Sequence, residues 1–291
     1  MVDDQREERE EREEREERSE PGDVVVVTGA GGMGVAIARR LGSGRTVILA
    51  DASEQRLGET VRALSAEGYV VRGAVTDVAD RGSVERLAAT ASGAGRVAAV
   101  VHTAGLSPAT ASARAIVDVN LMGTAHVIDV FGTVASRGTA LVCVSSMAGH
   151  YATLSREEEY ALATTPTDGL LALDVVAGIG DDAASAYCVT KRSNHLRVQA
   201  AALAWNLRGA RLNTVSPGVI STAMAKAEAE SASGERMMRM LEDCGAGRTG
   251  TPAEIADAVA FLTGPGSLYI TGTDLLVDGG QAAWIRCHRT A

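Results

Sequence analysis

Short β-branched apolar runs alternate with helix-spaced segments along most of this chain. VVVVT (24–28) is apolar throughout, as strands buried on both faces of a parallel sheet are. A glycine-rich stretch (29–34) follows, and then VAIARRL (35–41) carries apolar residues at helical spacing. TVILAD (46–51) predicts a second strand. EQRLGETVRAL (54–64) predicts a helix with Leu57, Val61 and Leu64 on one face. Further strands are predicted at YVVRGAV (69–75), VAAVVHT (97–103), ALVCVSS (140–146), ARLNTVS (210–216) and DLLVD (274–278). Helices are predicted at SVERLAATA (83–91), 186–207 and AEIADAVAFL (253–262).

Strand–helix alternation on this scale predicts an α/β fold: one Rossmann-like, doubly wound parallel sheet with helices on both faces. Residues 150–185 break the rhythm. They separate the fifth strand from the long helix by far more chain than the connection needs, and they are expected to lie over the carboxyl ends of the strands as a lid or pocket wall. Leu170, Leu171, Leu173, Val175 and Val176 would supply that wall, with 156–159 facing water. The expected organisation is a charged tail (1–22), one oxidoreductase-type domain (23–283) containing the 150–185 insertion, and a short C-terminal tail (284–291).

Charge sharpens the picture at the N-terminus. Residues 6–18 repeat Arg-Glu-Glu, and residues 1–20 hold 11 acidic and 5 basic side chains, a net of −6 out of the chain's −9. With no apolar face this segment has nothing with which to dock on a core. The remaining −3 gives no basic footprint for nucleic acid. No apolar run reads as a membrane span and no leader-like stretch opens the chain, so a cytoplasmic protein without membrane or nucleic-acid partners is expected. Cys143, Cys188, Cys244 and Cys287 fall in no CxxC pair, so reduced thiols and no metal centre are expected.

The chemistry is concentrated in two places. Gly29, Gly31 and Gly34 in TGAGGMG (28–34) fit GxGxxG between a strand and a helix, where glycine lets backbone approach a pyrophosphate and the helix amino end supplies N–H donors. Asp51, ending the second strand, is placed to accept hydrogen bonds from a ribose and to repel the extra phosphate of NADP, so NAD(H) is preferred and NADP(H) is the second possibility. Asp77, in VTDVAD, suits either an adenine contact or a turn. Tyr187 and Lys191 are i and i+4 on one helix face, where an ammonium would lower the phenol's pKa and equip it for proton transfer.

Taken in order, these motifs resemble the short-chain dehydrogenase/reductase family over residues 23–280. They are TGAGGMG, Thr103-Ala104-Gly105 where the family has Asn-Ala-Gly, Asn120 in VDVNLMG, Ser145-Ser146, YCVTK, SPGVIST and TGTDLLVDGG. The resemblance implies Tyr187 as acid/base, Ser146 holding the substrate oxygen, Lys191 on the nicotinamide ribose, and Asn120 positioning a water that links Lys191 to solvent. It implies a cofactor site from Gly29, Gly31, Gly32, Met33, Gly34, Asp51, Asp77, Val78, Ala104 and Gly105, continued by Tyr187, Lys191, Pro217, Gly218, Ile220 and Thr222. The glycine turn is one residue shorter than the family's usual form. The 41-residue step from Ser146 to Tyr187 resembles the bacterial 3α-hydroxysteroid dehydrogenase/carbonyl reductase type. It points to a bulky alicyclic or aromatic ketone or secondary alcohol as the small-molecule substrate.

The alternatives are an imine or iminium reductase on the same fold and a non-catalytic dinucleotide sensor, though a sensor has no need of Ser146, Tyr187 and Lys191 together. His102 reads as a core histidine, and His150 as a pocket-mouth or surface residue. The insertion lies beside helices that the family uses for subunit packing, so a homodimer is expected rather than a homotetramer.

Overall fold

A computed structural model describes residues 22–230 and 234–288, and the charged-tail expectation for 1–22 therefore falls almost wholly outside the described residues. Seven parallel strands form one sheet in the order β3-β2-β1-β4-β5-β6-β7. They are β1 (Asp23–Thr28), β2 (Thr46–Asp51), β3 (Val70–Val75), β4 (Arg96–His102), β5 (Ala140–Val144), β6 (Arg211–Pro217) and β7 (Asp274–Val277). The strand order reverses between β1 and β4, and ligands of such sheets bind in the crevice beyond the carboxyl ends at that reversal. Every described residue of β5 and β6 is buried, and Val24–Val27 of β1 are fully inaccessible, which is why their sequences lack polar alternation.

The helices are α1 (Gly32–Leu41), α2 (Glu54–Ala66), α3 (Arg81–Ala94), α4 (Ala113–Val134), α5 (Arg156–Thr164), α6 (Asp174–Ala177), α7 (Ala183–Leu207), α8 (Ala223–Ala229), α9 (Gly234–Asp243), α10 (Pro252–Thr263) and α11 (Gln281–His288). Two apolar clusters flank the sheet. One joins β1, β2 and β4–β6 to α3, α4 and α7 through Leu87, Phe131 and Trp205; the other joins the opposite face to α1, α2 and α10 through Ile37, Leu64 and Ile255. Capping boxes set the starts of α5 (Ser155 with Glu158) and α10 (Thr251 with Glu254).

Three expectations need correction. Helix α4 is, by length and a mean hydropathy of 1.3, apolar enough to cross a membrane, contrary to the sequence reading; 67% of its apolar window is buried, as befits a core helix. Residues 284–288 are not a tail but belong to α11, Gln281–His288, whose Gln281 and Ala282 are buried; 289–291 lie outside the described residues. The third concerns the insertion. Leu162, Leu170, Val176 and Ile179 are buried in a third cluster with Ile116, Leu121, Val189 and Leu196, so residues 156–179 lie along α4 and α7. Leu170 and Val176 face that cluster because it is the apolar surface within reach, while Leu171 is exposed. Arg197 ties the insertion down: its guanidinium donates to Leu162 O (3.2 Å), Thr165 O (2.9 Å) and Thr167 Oγ1 (3.2 Å). Glu159 pairs with Arg192 at 2.7 Å rather than facing water alone.

This placement makes the insertion part of the scaffold. Leu170→Ala should lower unfolding stability by about 2–5 kcal/mol, the range for emptying a fully buried leucine site. Urea denaturation measures this, and NADH affinity of the folded variant should stay within twofold of the parent.

Candidate active site

The carboxyl ends of β1, β4, β5 and β6 converge on one crevice. At β1 the chain turns through Gly29, whose φ of +91° belongs to the left-handed region. A Cβ at Gly34 would lie 1.8 Å from Gly29 O, so the shortened turn closes tightly on itself. Gly31 is the N-cap of α1, with no side-chain cap, and a Cβ there would meet nothing within 4 Å. The first-turn N–H groups of α1 lack intrahelical partners and face this open position. A dinucleotide's pyrophosphate fits such a cradle: donors at a helix amino end and space kept by a missing side chain.

Asp51 stands at the carboxyl end of β2, beside this turn. It is 9% exposed; Oδ2 accepts from Ala30 N (2.8 Å) and Oδ1 from Ser53 N (2.8 Å). Ser53, not Asp51, caps α2. The Arg56 guanidinium lies 3.6 Å from Asp51 Oδ2, a neighbour the sequence reading did not weigh. Asp77 is exposed and its carboxylate accepts from Ala79 N (2.9 Å), the turn role, while Val78 is buried.

Thr103 does new work in place of asparagine. Its hydroxyl donates to Thr28 O (2.7 Å), stitching the ends of β1 and β4 together. Next to it, His102 has Nδ1 2.7 Å from Thr28 Oγ1 and Nε2 3.2 Å from Thr124 Oγ1, and Thr124 donates onward to Asn120 O (2.8 Å). The onward donation uses the one proton of Thr124, so His102 must donate through Nε2–H and accept at Nδ1. Burial, with the Lys191 charge second, pushes its pKa down to about 3, and it stays neutral: the core histidine the sequence suggested. Asn120 lies in a π-helical segment of α4, Val117–Gly123. Its side chain clamps Leu106, accepting from N (2.8 Å) and donating to O (3.0 Å). Its carbonyl also accepts from Asn194 (3.0 Å) once that amide is oriented by its partners. In this geometry the Asn120 side chain fixes the 103–107 loop.

Helix α7 brings Tyr187 and Lys191 beside the end of β5. Ser146 and Tyr187 line the same cavity, and Lys191 Nζ lies 5.7 Å from the Tyr187 ring centroid. Lys191 is 6% exposed and donates to Val144 O (3.1 Å); a Cβ at Gly105 would sit 3.5 Å from its Nζ. Ser145 faces away, donating to Lys191 O (2.8 Å), which separates its role from that of Ser146. Burial pushes Tyr187 up to about 12; Ser146 opposes this, and the charges of Glu228 and Cys188 add to it. Burial also pushes Lys191 down to about 8. The expected lowering of the phenol by Lys191 is thus overridden by desolvation.

Ser146 and Tyr187 open onto a cavity of about 1090 Å³ that Pro217, Gly218, Ile220 and Thr222 also line. Its far wall is Met224, Met237, Met240, Trp284 and Ile285, from α8, α9 and α11. Of the insertion, only Tyr151 near its start and Ala184 near its end reach this cavity. The pocket wall assigned to residues 150–185 is therefore built by other helices. The signal for them was present in GERMMRMLED and WIRCH, but a short amphipathic helix and a basic end did not reveal which face they cover.

Comparison with known proteins agrees with this geometry. Residues 23–161 match the family model described as short chain dehydrogenase, and residues 169–282 match one described as enoyl-(acyl carrier protein) reductase. The chain is 38% identical to the short-chain dehydrogenase/reductase bsc3 of Alternaria brassicicola, covering 90% of this chain and 96% of the relative. It is 30% identical to the 3-alpha-hydroxysteroid dehydrogenase/carbonyl reductase of Comamonas testosteroni, over 64% of this chain and 73% of the relative. Among solved structures, the NADH complex of a Pseudomonas sp. B-0831 3-alpha-hydroxysteroid dehydrogenase superimposes with a TM-score of 0.74 at 28% identity, covering 92% of this chain and 100% of that one. An NADPH complex of a variant actinorhodin polyketide ketoreductase has a TM-score of 0.70 at 26% identity, covering 90% and 97%.

The cradle makes a separable prediction. Gly31→Ala should fold with unchanged thermal stability, since its Cβ meets no protein atom, yet weaken NADH binding at least tenfold in a fluorescence titration. Gly34→Ala should fail to fold stably by circular dichroism.

Proposed function

The chain belongs to the short-chain dehydrogenase/reductase family, and from that membership we propose that it interconverts a ketone and a secondary alcohol on a bulky alicyclic or aromatic substrate, with NAD(H) preferred. As an oxidoreductase of this family it uses a nicotinamide dinucleotide, which supplies or accepts the hydride when bound. The observation that carries the reading is the convergence of Ser146 and Tyr187 on one cavity, with Lys191 buried beside them.

Ser146 and Tyr187 together address one substrate oxygen. Ser146 holds it and the phenol donates its proton as the oxygen gains charge. A phenol pushed up to about 12 is protonated at neutral pH, the state that donates to a ketone oxygen during reduction. Lys191 holds the ribose, and the backbone at Ile220 and the Thr222 hydroxyl hold the carboxamide. The methionine-rich wall supports an adaptable apolar substrate.

Asp51 supports NADH, because a second phosphate at the ribose would meet its carboxylate. Arg56 is the feature that speaks for NADPH. An iminium substrate also has one observation in its favour: Glu228 lines the cavity near enough to raise the Tyr187 pKa, and a carboxylate there would pair with a cationic carbon–nitrogen double bond. For assembly we propose a homodimer. The insertion covers α4 and α7, whereas Phe261 on α10 and Leu268 and Tyr269 before the edge strand β7 are exposed.

A spectrophotometric panel of ketones, imines and steroids with NADH and NADPH tests substrate and cofactor together. NADH should bind more tightly, and Asp51→Ala should narrow the gap; tighter NADPH binding by the parent would reverse the assignment. Tyr187→Phe should remove most turnover, by about 100-fold or more, with NADH affinity nearly intact. Near-normal turnover in that variant means the proton comes from elsewhere.

The pH profile has a definite sign. Reduction needs protonated Tyr187 and charged Lys191, and Lys191, lowered by burial to about 8, is the first to lose its proton as pH rises. Reductive kcat/KM, which reports the free enzyme, should be level below neutrality and fall through about pH 8. A rise across that range would contradict the assigned roles.

A further inference from the structure

A second polar cluster joins three segments that the active site depends on. His150 ends the 3-10 turn Met147–His150, four residues after Ser146. His195 lies one helical turn beyond Lys191 and two beyond Tyr187 on α7. Asp274 opens β7. His150 Nε2 is 2.8 Å from Asp274 Oδ2; Thr214 and Ser216 of β6 donate to Asp274 Oδ1 at 2.6 and 2.8 Å. His195 Nε2 is 2.8 Å from Ser216 Oγ and 3.5 Å from Asp274 Oδ1.

The proton order follows from valence. A carboxylate only accepts, so His150 donates through Nε2–H. Ser216 has spent its one proton on Asp274, so His195 donates to Ser216 and keeps a lone pair at Nδ1. That atom is buried without a hydrogen-bond partner. Burial lowers the His195 pKa to about 4, in keeping with a neutral ring. The turn and the helix also touch directly: a Cβ at Gly149 would lie 2.7 Å from His195 Cε1 and 2.9 Å from the Lys191 carbonyl.

Ser146 and Tyr187 are separated by a 41-residue step in the chain, and most of that step packs elsewhere. They line one cavity from segments that must be registered by something other than chain connectivity. We propose that Asp274, gripping His150 on one side and His195 through Ser216 on the other, is a clamp that sets the Ser146–Tyr187 geometry, with His150, Asp274 and His195 as positioning residues. This rests on Ser146 and Tyr187 being the reacting pair. A misplacement of about 1 Å at such a pair costs about 100-fold in rate.

The test compares His150→Leu, His150→Gln and Asp274→Asn with the parent, using NADH and 9,10-phenanthrenequinone as the probe. His150→Leu and Asp274→Asn should lower kcat by about 10- to 100-fold with NADH affinity within twofold. His150→Gln, whose amide nitrogen reaches the place of imidazole Nε2, should recover most of the loss. In a Ser146→Ala background His150→Leu should have little further effect, because the clamp acts through that serine. Unchanged kcat in His150→Leu, no rescue by glutamine, or an undiminished effect without Ser146 overturns the clamp. A crystal structure of His150→Leu beside that of the parent reads the proposal without turnover: the Ser146 and Tyr187 hydroxyls should lie farther apart in the variant, and an unchanged separation overturns it whatever the probe does. Near-normal turnover in Tyr187→Phe, beside a His150→Leu variant that loses activity, would instead sink the catalytic reading. The three ligand atoms lie within 4.8 Å of one another, so stoichiometric zinc in the purified protein, lost in His150→Leu, would replace the hydrogen-bonded clamp with a metal site.

Discussion

One buried ammonium organises the centre of this molecule. Lys191 sits at the end of β5 with its charge almost out of water, held by the Val144 carbonyl and facing the space that Gly105 leaves. An ammonium so placed is tolerated only if polar groups or an opposite charge satisfy it and no second positive charge stands beside it. The neighbours meet that condition. His102 and His195 are kept neutral by burial with Lys191 contributing, and burial holds the Cys143 thiol up at about 12 against the pull of the same charge. The hydrogen bonds through Thr28, His102, Thr124 and Asn120 give this neutral shell a single proton order from β1 to α4.

Much of this was readable from sequence because it is enforced by local rules. An apolar run such as VVVVT has no other comfortable place than a strand covered on both faces. Gly29 and Gly34 stand where a side chain would strike backbone, and Tyr187 and Lys191 share a helix face by periodicity alone. These features predicted the parallel sheet, the glycine turn and the helix that carries Tyr187 and Lys191 within a few residues.

What was not readable depends on distance through space. The fate of Leu170 and Val176 turns on which apolar surface is nearest, and α4 and α7 offered one before the pocket did. The Tyr187 pKa was misjudged in sign because a one-dimensional reading counts the neighbouring charge and not the desolvation. His150 looked like a loop residue because its partner, Asp274, is 124 residues away. Trp284 and Ile285 lay in what read as a tail.

The wall opposite Tyr187 rests on a small foundation. Among the described residues of its apolar cluster only Val219, Met240 and Leu241 are buried, while Met147, Ala225, Met237, Trp284 and Ile285 are partly covered. Local opening free energy follows the apolar surface that opening exposes, so this wall occupies the weak end of the molecule's stability spectrum. Warming should therefore loosen the wall well before the sheet, and amide exchange on α8 and α9 should outpace that on α7. Catalytic turnover then has an upper temperature of its own, set by a patch of methionines rather than by global melting.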